Sequence, residues 1–471
     1  MSLDKVPPED IPDIAEEFEE TVESSSVGLS DETIREITNA IRDDEQDHLE
    51  LVNDLSIADT AELLQKIHYD DRETLLESKE IEIDPLVFSY MDSDLRKSTL
   101  SMMSAKQVAK IISELESDDA LDLIENLEED FQQEIIRKLS AKIRTAIEEG
   151  LTFPEDSAGR LMQREYVAVP QFWTVGKTID FLRAAADELP NDFHDLIVID
   201  PLYHVVGEIP LNRILRSKRV KKIEELTLDD LHTIPADMDQ EEVSHIFRRE
   251  GLNSAPVVDA DNRLIGVITF DDIIDVIDEE AEEDIMKLAG VEGSDFYQAI
   301  LSTTSSRFRW LFINLLTAIA ASVVISFFDA TIEQIVALAV LMPIVASMGG
   351  NAGTQALTVA VRALATKELS STNMFRVIGK ETIVGTLNGI GFAIIMGMIT
   401  SMWFSSLTLG AVIAAAMVIN LVVAGLSGAA IPIILNKMGT DPALSSTVLL
   451  TTITDIVGFF GFLGLASIFL I

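Results

Sequence analysis

The sequence predicts a multi-domain membrane protein with an α-helical, superhelical N-terminal domain, an α/β repeat region and an all-α transmembrane domain of five helices. The chain of 471 residues carries 79 acidic and 35 basic side chains, yet only six acidic and five basic residues follow Trp310. After Trp310 five apolar runs approach or exceed the roughly 20 residues that cross a bilayer core. Between residues 151 and 285 a strand–turn–strand–helix pattern occurs twice, which predicts two copies of one α/β unit.

The first 28 residues are acidic and lack apolar periodicity, which predicts a disordered leader. They contain neither the basic segment nor the apolar core of a signal or transit peptide, so we expect a cytoplasmic N-terminus. The net charge of -44 argues against nucleic-acid binding, because phosphate neutralisation requires Lys and Arg. The absence of cysteine excludes a disulfide scaffold. No nucleophile–base arrangement or phosphate-binding loop is evident, so we do not expect an enzyme.

Residues 29–150 predict a domain of short amphipathic helices. Apolar residues recur at spacings of three and four in segments 59–67, 107–115 and 120–127. No strand pattern interrupts them. Stacked helix pairs are the natural packing for such a region.

Residues 151–285 contain the internal repeat. Strand segments 196–200 and 205–209 precede a helix at 211–215, and segments 255–259 and 264–268 precede a helix at 271–277. Asp200 corresponds to Asp259 and Gly207 to Gly266, both at an offset of 59 residues. This region resembles a tandem pair of CBS (cystathionine-β-synthase-type) modules. Residues 286–309 are predicted to form a connecting helix, with a Ser/Thr-rich turn before its end. The membrane domain follows at residues 310–471.

Five membrane spans are predicted in the last third of the chain, at 310–328, 332–361, 377–403, 407–435 and 443–471. Lys and Arg precede the first span and lie between the second and third and between the fourth and fifth. The alternate loops carry none, so the positive-inside rule places the N-terminus inside and the C-terminus outside. We therefore expect a multi-pass protein of the cell membrane, in contact with lipid.

Asp455 is the most informative single residue. It lies deep in the last predicted span, where a charged side chain costs about 2.5–3.5 kcal/mol on insertion scales. Thr447 and Thr451 precede it at spacings of eight and four, so the three side chains form one oxygen-bearing stripe on a helix. The stripe predicts an ion path; the alternative is a buried aspartate paired with a neighbouring helix.

The second predicted span is interrupted by glycines and amides. Asn351 and Gln355 are four residues apart and share a helix face. One explanation is that the glycines and amides weaken the helix in mid-membrane and expose backbone carbonyls. Gly349 and Gly353 are also four residues apart, and close helix–helix packing through small residues is the alternative explanation. Both explanations can hold together.

Oxygen ligands without His or Cys favour Mg²⁺ or Ca²⁺ over a transition metal. Mg²⁺ dehydrates reluctantly, so a ring of carboxylates can hold the hydrated ion. In a symmetric homodimer, Asp455 from each subunit would supply such a ring.

The two membrane motifs resemble those of the MgtE family of magnesium channels and transporters. The motifs are PIVASMGGNAGTQALTVAVRALA at 343–365, and TDPA at 440–443 followed by TTITDIVG at 451–458. The order of the predicted domains matches that family over residues 29–471. The resemblance implies a homodimer that imports Mg²⁺ past Asp455, with the Thr451 carbonyl and Asn351 also lining the path.

The family resemblance further implies that cytoplasmic Mg²⁺ closes the channel by bridging acidic surfaces. The implied regulatory ligands near the membrane are Asp272, Asp275, Glu280, Glu283 and Asp284, and those elsewhere in the cytosolic domains are Asp118, Asp239 and Glu241. Asp441 is implied to share a metal with Asp284, although its position before Pro442 suits helix capping equally well.

The sequence supports such gating physically, because nine carboxylates occupy the fourteen positions 271–284. Two such charges ~4 Å apart repel by about 4 kcal/mol at an effective dielectric near 20. Without divalent cations these surfaces should separate. The competing explanation is general solvation of an acidic surface.

CBS modules often bind adenine nucleotides, and Thr269 and Asp272 occupy the strand end where a ribose of ATP would lie. Two other functions are considered beside a Mg²⁺-gated Mg²⁺ channel. One is a divalent-cation carrier coupled to H⁺ or Na⁺, which would usually need a second deep titratable group. The other is a non-transporting divalent-cation sensor, in which Asp455 would have no task.

Overall fold

The computed structural model describes residues 28–42, 51–78, 81, 83–186, 189–190, 193–228, 231–291, 300–370 and 372–471. The predicted leader lies outside these residues except for Gly28. The chain forms two compact units, one ending at Ile277 and the other beginning at Asp278.

The first part of the N-terminal unit is helical, as the apolar spacing predicts. Polar caps start several helices: Ser56 accepts a hydrogen bond from the Asp59 amide, and Ser104 and Gln107 form a reciprocal capping box. The amphipathic faces are buried, with Leu63, Leu64 and Ile112 fully inside. The helices are α1 Asp31–Arg42, α2 Ile57–Lys66, α3 Tyr69–Glu77, α4 Ser93–Met102, α5 Ala105–Glu114, α6 Ser117–Glu125, α7 Glu129–Ile136 and α8 Ala141–Gly150.

Two three-stranded sheets confirm the predicted repeat. Their orders are β1-β2-β3 and β4-β5-β6, each with one parallel and one antiparallel pair. Val198 pairs with Gly207 in one sheet, and Val257 with Gly266 in the other, which preserves the offset of 59. The strands are β1 Ala168–Pro170, β2 Asp195–Ile199, β3 Val205–Pro210, β4 Ile234–Pro235, β5 Ser254–Val258 and β6 Leu264–Thr269; the helices are α9 Ala158–Leu161, α10 Val175–Ala184, α11 Leu211–Leu215 and α12 Gln240–Glu250.

The two α/β modules meet through equivalent positions. His204 and Arg263, which correspond to each other in the repeat, form an antiparallel bridge. A shared core contains Ile197 and Val205 from one module and Val258 and Leu264 from the other. The pairing of equivalent residues indicates a local pseudo-two-fold relation between the modules.

A buried acidic cluster also joins the modules. The Ser254 hydroxyl lies 2.9 Å from Asp195 Oδ2 and 3.1 Å from Glu208 Oε1. Glu208 is only 6% exposed. Burial, and then repulsion by Asp195, raise the pKa of the Glu208 carboxyl to about 8. At neutral pH Glu208 is therefore protonated in the folded protein.

This cluster predicts a loss of stability on going to alkaline pH. An unfolded glutamate titrates near 4.5, so between about pH 4.5 and pH 8 the folded unit holds a proton that the unfolded chain releases. The free energy of unfolding therefore falls as pH rises through this window, by up to about 5 kcal/mol. We expect Glu208→Gln to remove this pH dependence and to raise the thermal midpoint above wild type at about pH 8.5, measured on the full chain in detergent.

The control for this measurement is Asp237→Asn, which changes an exposed carboxylate in the same unit. The stability of Asp237→Asn should depend on pH as that of the wild type does. A Glu208→Gln protein that loses stability between about pH 6 and pH 8.5 as steeply as wild type contradicts the assignment.

The acidic segment lies on one long helix, α13 Phe270–Ala289, rather than before a connecting helix at 286–309. The helix ends at Gly290, whose φ of 73° is left-handed, and the Val291 amide donates to the Met286 carbonyl. This is a glycine-terminated helix end. Residues 292–299 lie outside the described part of the chain.

Five helices in the second unit are long and apolar enough to cross a membrane. The first begins at Ile300, ten residues before the predicted span. The predicted Ser/Thr-rich turn is wrong, because hydroxyls bond within the helix there, as Thr304 Oγ1 does to the Ile300 carbonyl at 2.6 Å. The helices are α14 Ile300–Ser326, α16 Ala337–Ala365, α17 Met374–Trp403, α18 Leu407–Lys437 and α19 Pro442–Phe469, with the short α15 Asp329–Gln334 after the first.

Glycines bring α17 and α18 into backbone contact. A Cβ on Gly385 would collide with the Leu421 carbonyl oxygen, and one on Gly425 would lie 2.5 Å from the Glu381 carbonyl oxygen. Close approach at small residues is typical of helix packing in membranes. Helix α18 also packs on α16, where a Cβ on Gly428 would lie 2.5 Å from the Gly353 carbonyl oxygen.

Candidate functional site

Asp455 lies midway along α19 and is half-buried in the single chain. Among the described residues, no Lys, Arg or His lies within ion-pair distance of its carboxylate. Thr451, one turn earlier, donates its hydroxyl to the Thr447 carbonyl at 3.0 Å, and its own carbonyl accepts from Thr454 Oγ1 at 3.1 Å. The carboxylate is thus the unneutralised charge of this stripe.

Thr447 makes a local contact that its spacing does not predict. Its hydroxyl donates to the Leu288 carbonyl at 3.0 Å. Leu288 belongs to α13 and packs among Leu357, Val361 and Leu450. The Thr447 side chain therefore holds the end of α13 against the membrane helices.

Helix α16 has two distinct faces. Gly349 and Gly353 are buried, and a Cβ on Gly353 would lie 2.7 Å from Leu450 Cδ1. Asn351 and Gln355 lie on another face and are exposed in the single chain. The glycines serve packing, while the amides remain accessible.

Asp441 engages both carboxylate oxygens. Oδ1 accepts a hydrogen bond from the Ala443 amide at 2.8 Å, so Asp441 caps α19 with Pro442 in the first turn. Oδ2 lies 2.8 Å from Lys287 Nζ, which also lies 2.6 Å from Glu283 Oε1. A lysine ammonium therefore occupies the position beside Asp441 where the family resemblance implies a metal ion.

The electrostatics around Lys287 reflect crowding of carboxylates. Partial burial alone would lower the pKa of Lys287, but Asp441 and Glu283 together raise it, so the ammonium stays charged. Burial, and then Asp441, raise the pKa of Asp284. Three carboxylates thus share one cation at this end of α19.

A second acidic cluster lies in the N-terminal unit, where the first turns of α6 and α13 carry Asp118 and Asp272. Burial, and then repulsion by Asp272, raise the pKa of Asp118 well above its usual range. Burial raises the pKa of Asp272 to about 7, against a hydrogen bond donated by Thr269 Oγ1 at 2.7 Å. Two helix N-termini and two adjacent carboxylates suit a bridging cation.

The other predicted regulatory residues are more dispersed. Asp239 is exposed and caps α12, where it accepts from the Glu241 amide at 3.0 Å. Asp275 and Glu280 lie on α13, exposed and half-buried respectively. Across the described ranges, no three Asp, Glu or His side chains are arranged ready to hold a metal ion.

Lys287 is the residue of this site that sequence analysis missed. Its spacing of four from Glu283 was the available signal, because such pairs stabilise helices. Its contact with Asp441 joins residues far apart in the chain, and no local pattern encodes that contact.

The sequence matches three family models. They are "Divalent cation transporter" over residues 342–465, "MgtE intracellular N domain" over residues 55–156 and "CBS domain" over residues 223–279. These regions contain, respectively, Asp455, the helical cluster with Asp118, and most of the second α/β module.

Relatives named as magnesium transporters match most of the chain. The magnesium transporter MgtE of Bacillus subtilis is 29% identical over 443 residues, which cover 93% of this chain and 98% of the relative. That of Thermus thermophilus is 32% identical over 356 residues, covering 75% of this chain and 78% of the relative. A crystal structure of the cytosolic domain of the Mg²⁺ channel MgtE in complex with ATP is 25% identical, covers 52% of this chain and 99% of that chain, and has a TM-score of 0.46.

The match to the Thermus relative extends over three quarters of both chains, and the family models match both the membrane and cytosolic regions. The five apolar helices agree with a multi-pass membrane protein. The chain belongs to the MgtE family of magnesium transporters.

Proposed function

We propose that this protein is a Mg²⁺ channel of the cell membrane that imports Mg²⁺ past Asp455 and is closed by cytoplasmic Mg²⁺. The observation that carries the proposal is the position of Asp455: midway along a membrane helix, half-accessible, and without a cationic partner among the described residues. A nearby cation stabilises a carboxylate in that setting, and a hydrated dication can supply the charge without full dehydration.

A homodimer accounts for the exposed amide face of α16. Asn351 and Gln355 would contact lipid in a lone subunit, which is unfavourable for amides in a membrane. If the two-fold axis runs along this face, the amides and Asp455 of both subunits border one water-filled path. The positive-inside rule places the N-terminus in the cytoplasm and the C-terminus outside.

Gating is proposed to act through the two acidic clusters. Divalent binding between Asp118 and Asp272 would relieve the repulsion that raises the pKa of Asp118. The cluster of Glu283, Asp284 and Asp441 is the second candidate, at the end of the helix that carries Asp455. Binding of ATP at Thr269 and Asp272 remains a prediction.

Current recordings from the purified protein in liposomes test the function. Mg²⁺ is varied on the side that carries the cytosolic domains, and we expect unitary Mg²⁺ currents that close as it rises. Transport without unitary currents that follows a H⁺ or Na⁺ gradient would favour the coupled carrier. Absence of any Mg²⁺ flux would favour the non-transporting sensor.

Lys287→Met tests the gate in the same recordings. Loss of the ammonium leaves three carboxylates without their shared cation, so Mg²⁺ should bind there more strongly. We expect the Mg²⁺ concentration for half-closure to fall about tenfold, equivalent to about 1.4 kcal/mol. Lys106→Met, at an exposed lysine of α5, is the control and should close as wild type does. An unchanged half-closure concentration in Lys287→Met would exclude this cluster from gating.

A further inference from the structure

Asn420 is a fully buried amide in the middle of α18 that sequence analysis did not single out. Its Nδ2 group donates a hydrogen bond to the Val345 carbonyl of α16 at 2.8 Å. The bond joins two membrane helices at mid-span, at a backbone carbonyl that can accept a second hydrogen bond beside its helical one.

Two glycines make room for this amide. Gly349 lies one turn after Val345 on α16, and a Cβ there would overlap Asn420 Nδ2. Gly458 lies on α19, and a Cβ there would lie 2.8 Å from Nδ2 and 3.4 Å from Oδ1. Three helices therefore converge on one side chain, and its size sets how closely α16 and α19 approach.

The two glycines that surround the amide lie close in sequence to the polar residues of the proposed ion path. Gly458 follows Asp455 by three residues and Gly349 precedes Asn351 by two, which correspond to about 4.5 Å and 3 Å along the helix axes. A shift of either helix at the glycine is transmitted within one turn to the side chain that faces the path.

Packing alone does not explain an asparagine at this position. Among the described residues, Asn420 Oδ1 is buried without a hydrogen-bond partner. An unpaired buried acceptor weakens a fold, whereas an apolar side chain at the same position would leave no acceptor unpaired. The amide must therefore contribute something that an apolar side chain of similar size does not.

We infer that Asn420 is a positioning residue for ion selection: by tying α16 to α18 beside Gly458, it fixes the separation of Asp455 and Asn351. The inference rests on the proposed passage of Mg²⁺ past Asp455. Mg²⁺ demands near-ideal octahedral geometry, whereas Ca²⁺ accepts variable coordination. A fixed separation of Asp455 and Asn351 therefore favours Mg²⁺ over Ca²⁺, and a relaxed separation reduces that preference.

The test compares Asn420→Leu with wild type in liposomes, with Mg²⁺ and Ca²⁺ currents measured on the same preparations. We expect the ratio of Mg²⁺ to Ca²⁺ conductance to fall about tenfold while the protein stays folded and membrane-inserted. Met417→Leu, at a fully buried residue one turn earlier on α18, is the matched control and should keep the wild-type ratio.

Gly458→Ala provides an independent variant if Asn420→Leu does not fold. Its Cβ would displace the amide, so the ratio should fall in the same direction. A changed thermal midpoint with a wild-type Mg²⁺ to Ca²⁺ ratio in the folded variant would show a structural role only and overturn the inference.

Asp455→Asn separates this inference from the function on which it rests. If Asp455→Asn conducts Mg²⁺ like wild type, the proposed ion path is wrong. If Asp455→Asn loses conduction and Asn420→Leu keeps the wild-type ratio, the path stands and the positioning role is excluded.

Discussion

Asp455→Asn is expected to reduce Mg²⁺ conductance at least about 100-fold while leaving the amount of protein in the membrane unchanged. Asparagine keeps the size and hydrogen-bonding capacity of the side chain and removes only its charge. A dication about 5 Å from a carboxylate gains roughly 6 kcal/mol at an effective dielectric near 20. A loss of about 100-fold corresponds to about 2.7 kcal/mol, less than half of that attraction.

The measurement is single-channel or macroscopic Mg²⁺ current from liposomes with matched protein content. Asp329→Asn is the control, because Asp329 is an exposed acidic residue in the first turn of α15. It should conduct like wild type. Equal currents from Asp455→Asn and Asp329→Asn would remove the main support for the channel.

The second large effect is expected at the backbone contact between α17 and α18. In Gly385→Ala the new methyl group collides with the Leu421 carbonyl, which is main chain and cannot rotate away. The two helices must separate, and overpacking of this kind costs typically about 1–3 kcal/mol. We expect a lower thermal midpoint in detergent and a loss of monodisperse protein in size-exclusion chromatography.

Gly379→Ala is the matched control on the same helix, where an added Cβ meets no atom within 4 Å in the described chain. Alanine favours a helix over glycine by about 1 kcal/mol, so this variant should be at least as stable as wild type. If both variants melt at the same temperature, the close approach of α17 and α18 does not limit stability.

The sequence predicts the architecture well because each signal for it is local. Apolar length marks the membrane helices, and the offset of 59 residues marks the two α/β modules. Its errors at element ends are local too: the Ser/Thr-rich start of α14 is helical, and the Thr304 hydroxyl bonds to the Ile300 carbonyl of the preceding turn. The helix predicted at 271–277 continues through the acidic run to 284 and stops only at the glycine-terminated end near Gly290.

The candidate site is predictable only in part, since its remaining contacts join distant segments. Asp455 is conspicuous as a charge within an apolar run. Lys287 and Asn420 resemble ordinary helix residues until the fold brings them to Asp441 and Val345. Glu208 likewise stands in a strand, and only the fold reveals its burial beside Asp195.

The contact between the two α/β modules has a consequence for how the duplicated unit has diverged. Asp195 and Ser254 occupy equivalent positions of the repeat, so one copy provides a carboxylate where the other provides a hydroxyl. A chain assembled from two copies of the first module would bring a further acid group against Asp195 and Glu208. The halves are therefore no longer interchangeable, and each has become a specific complement to the other.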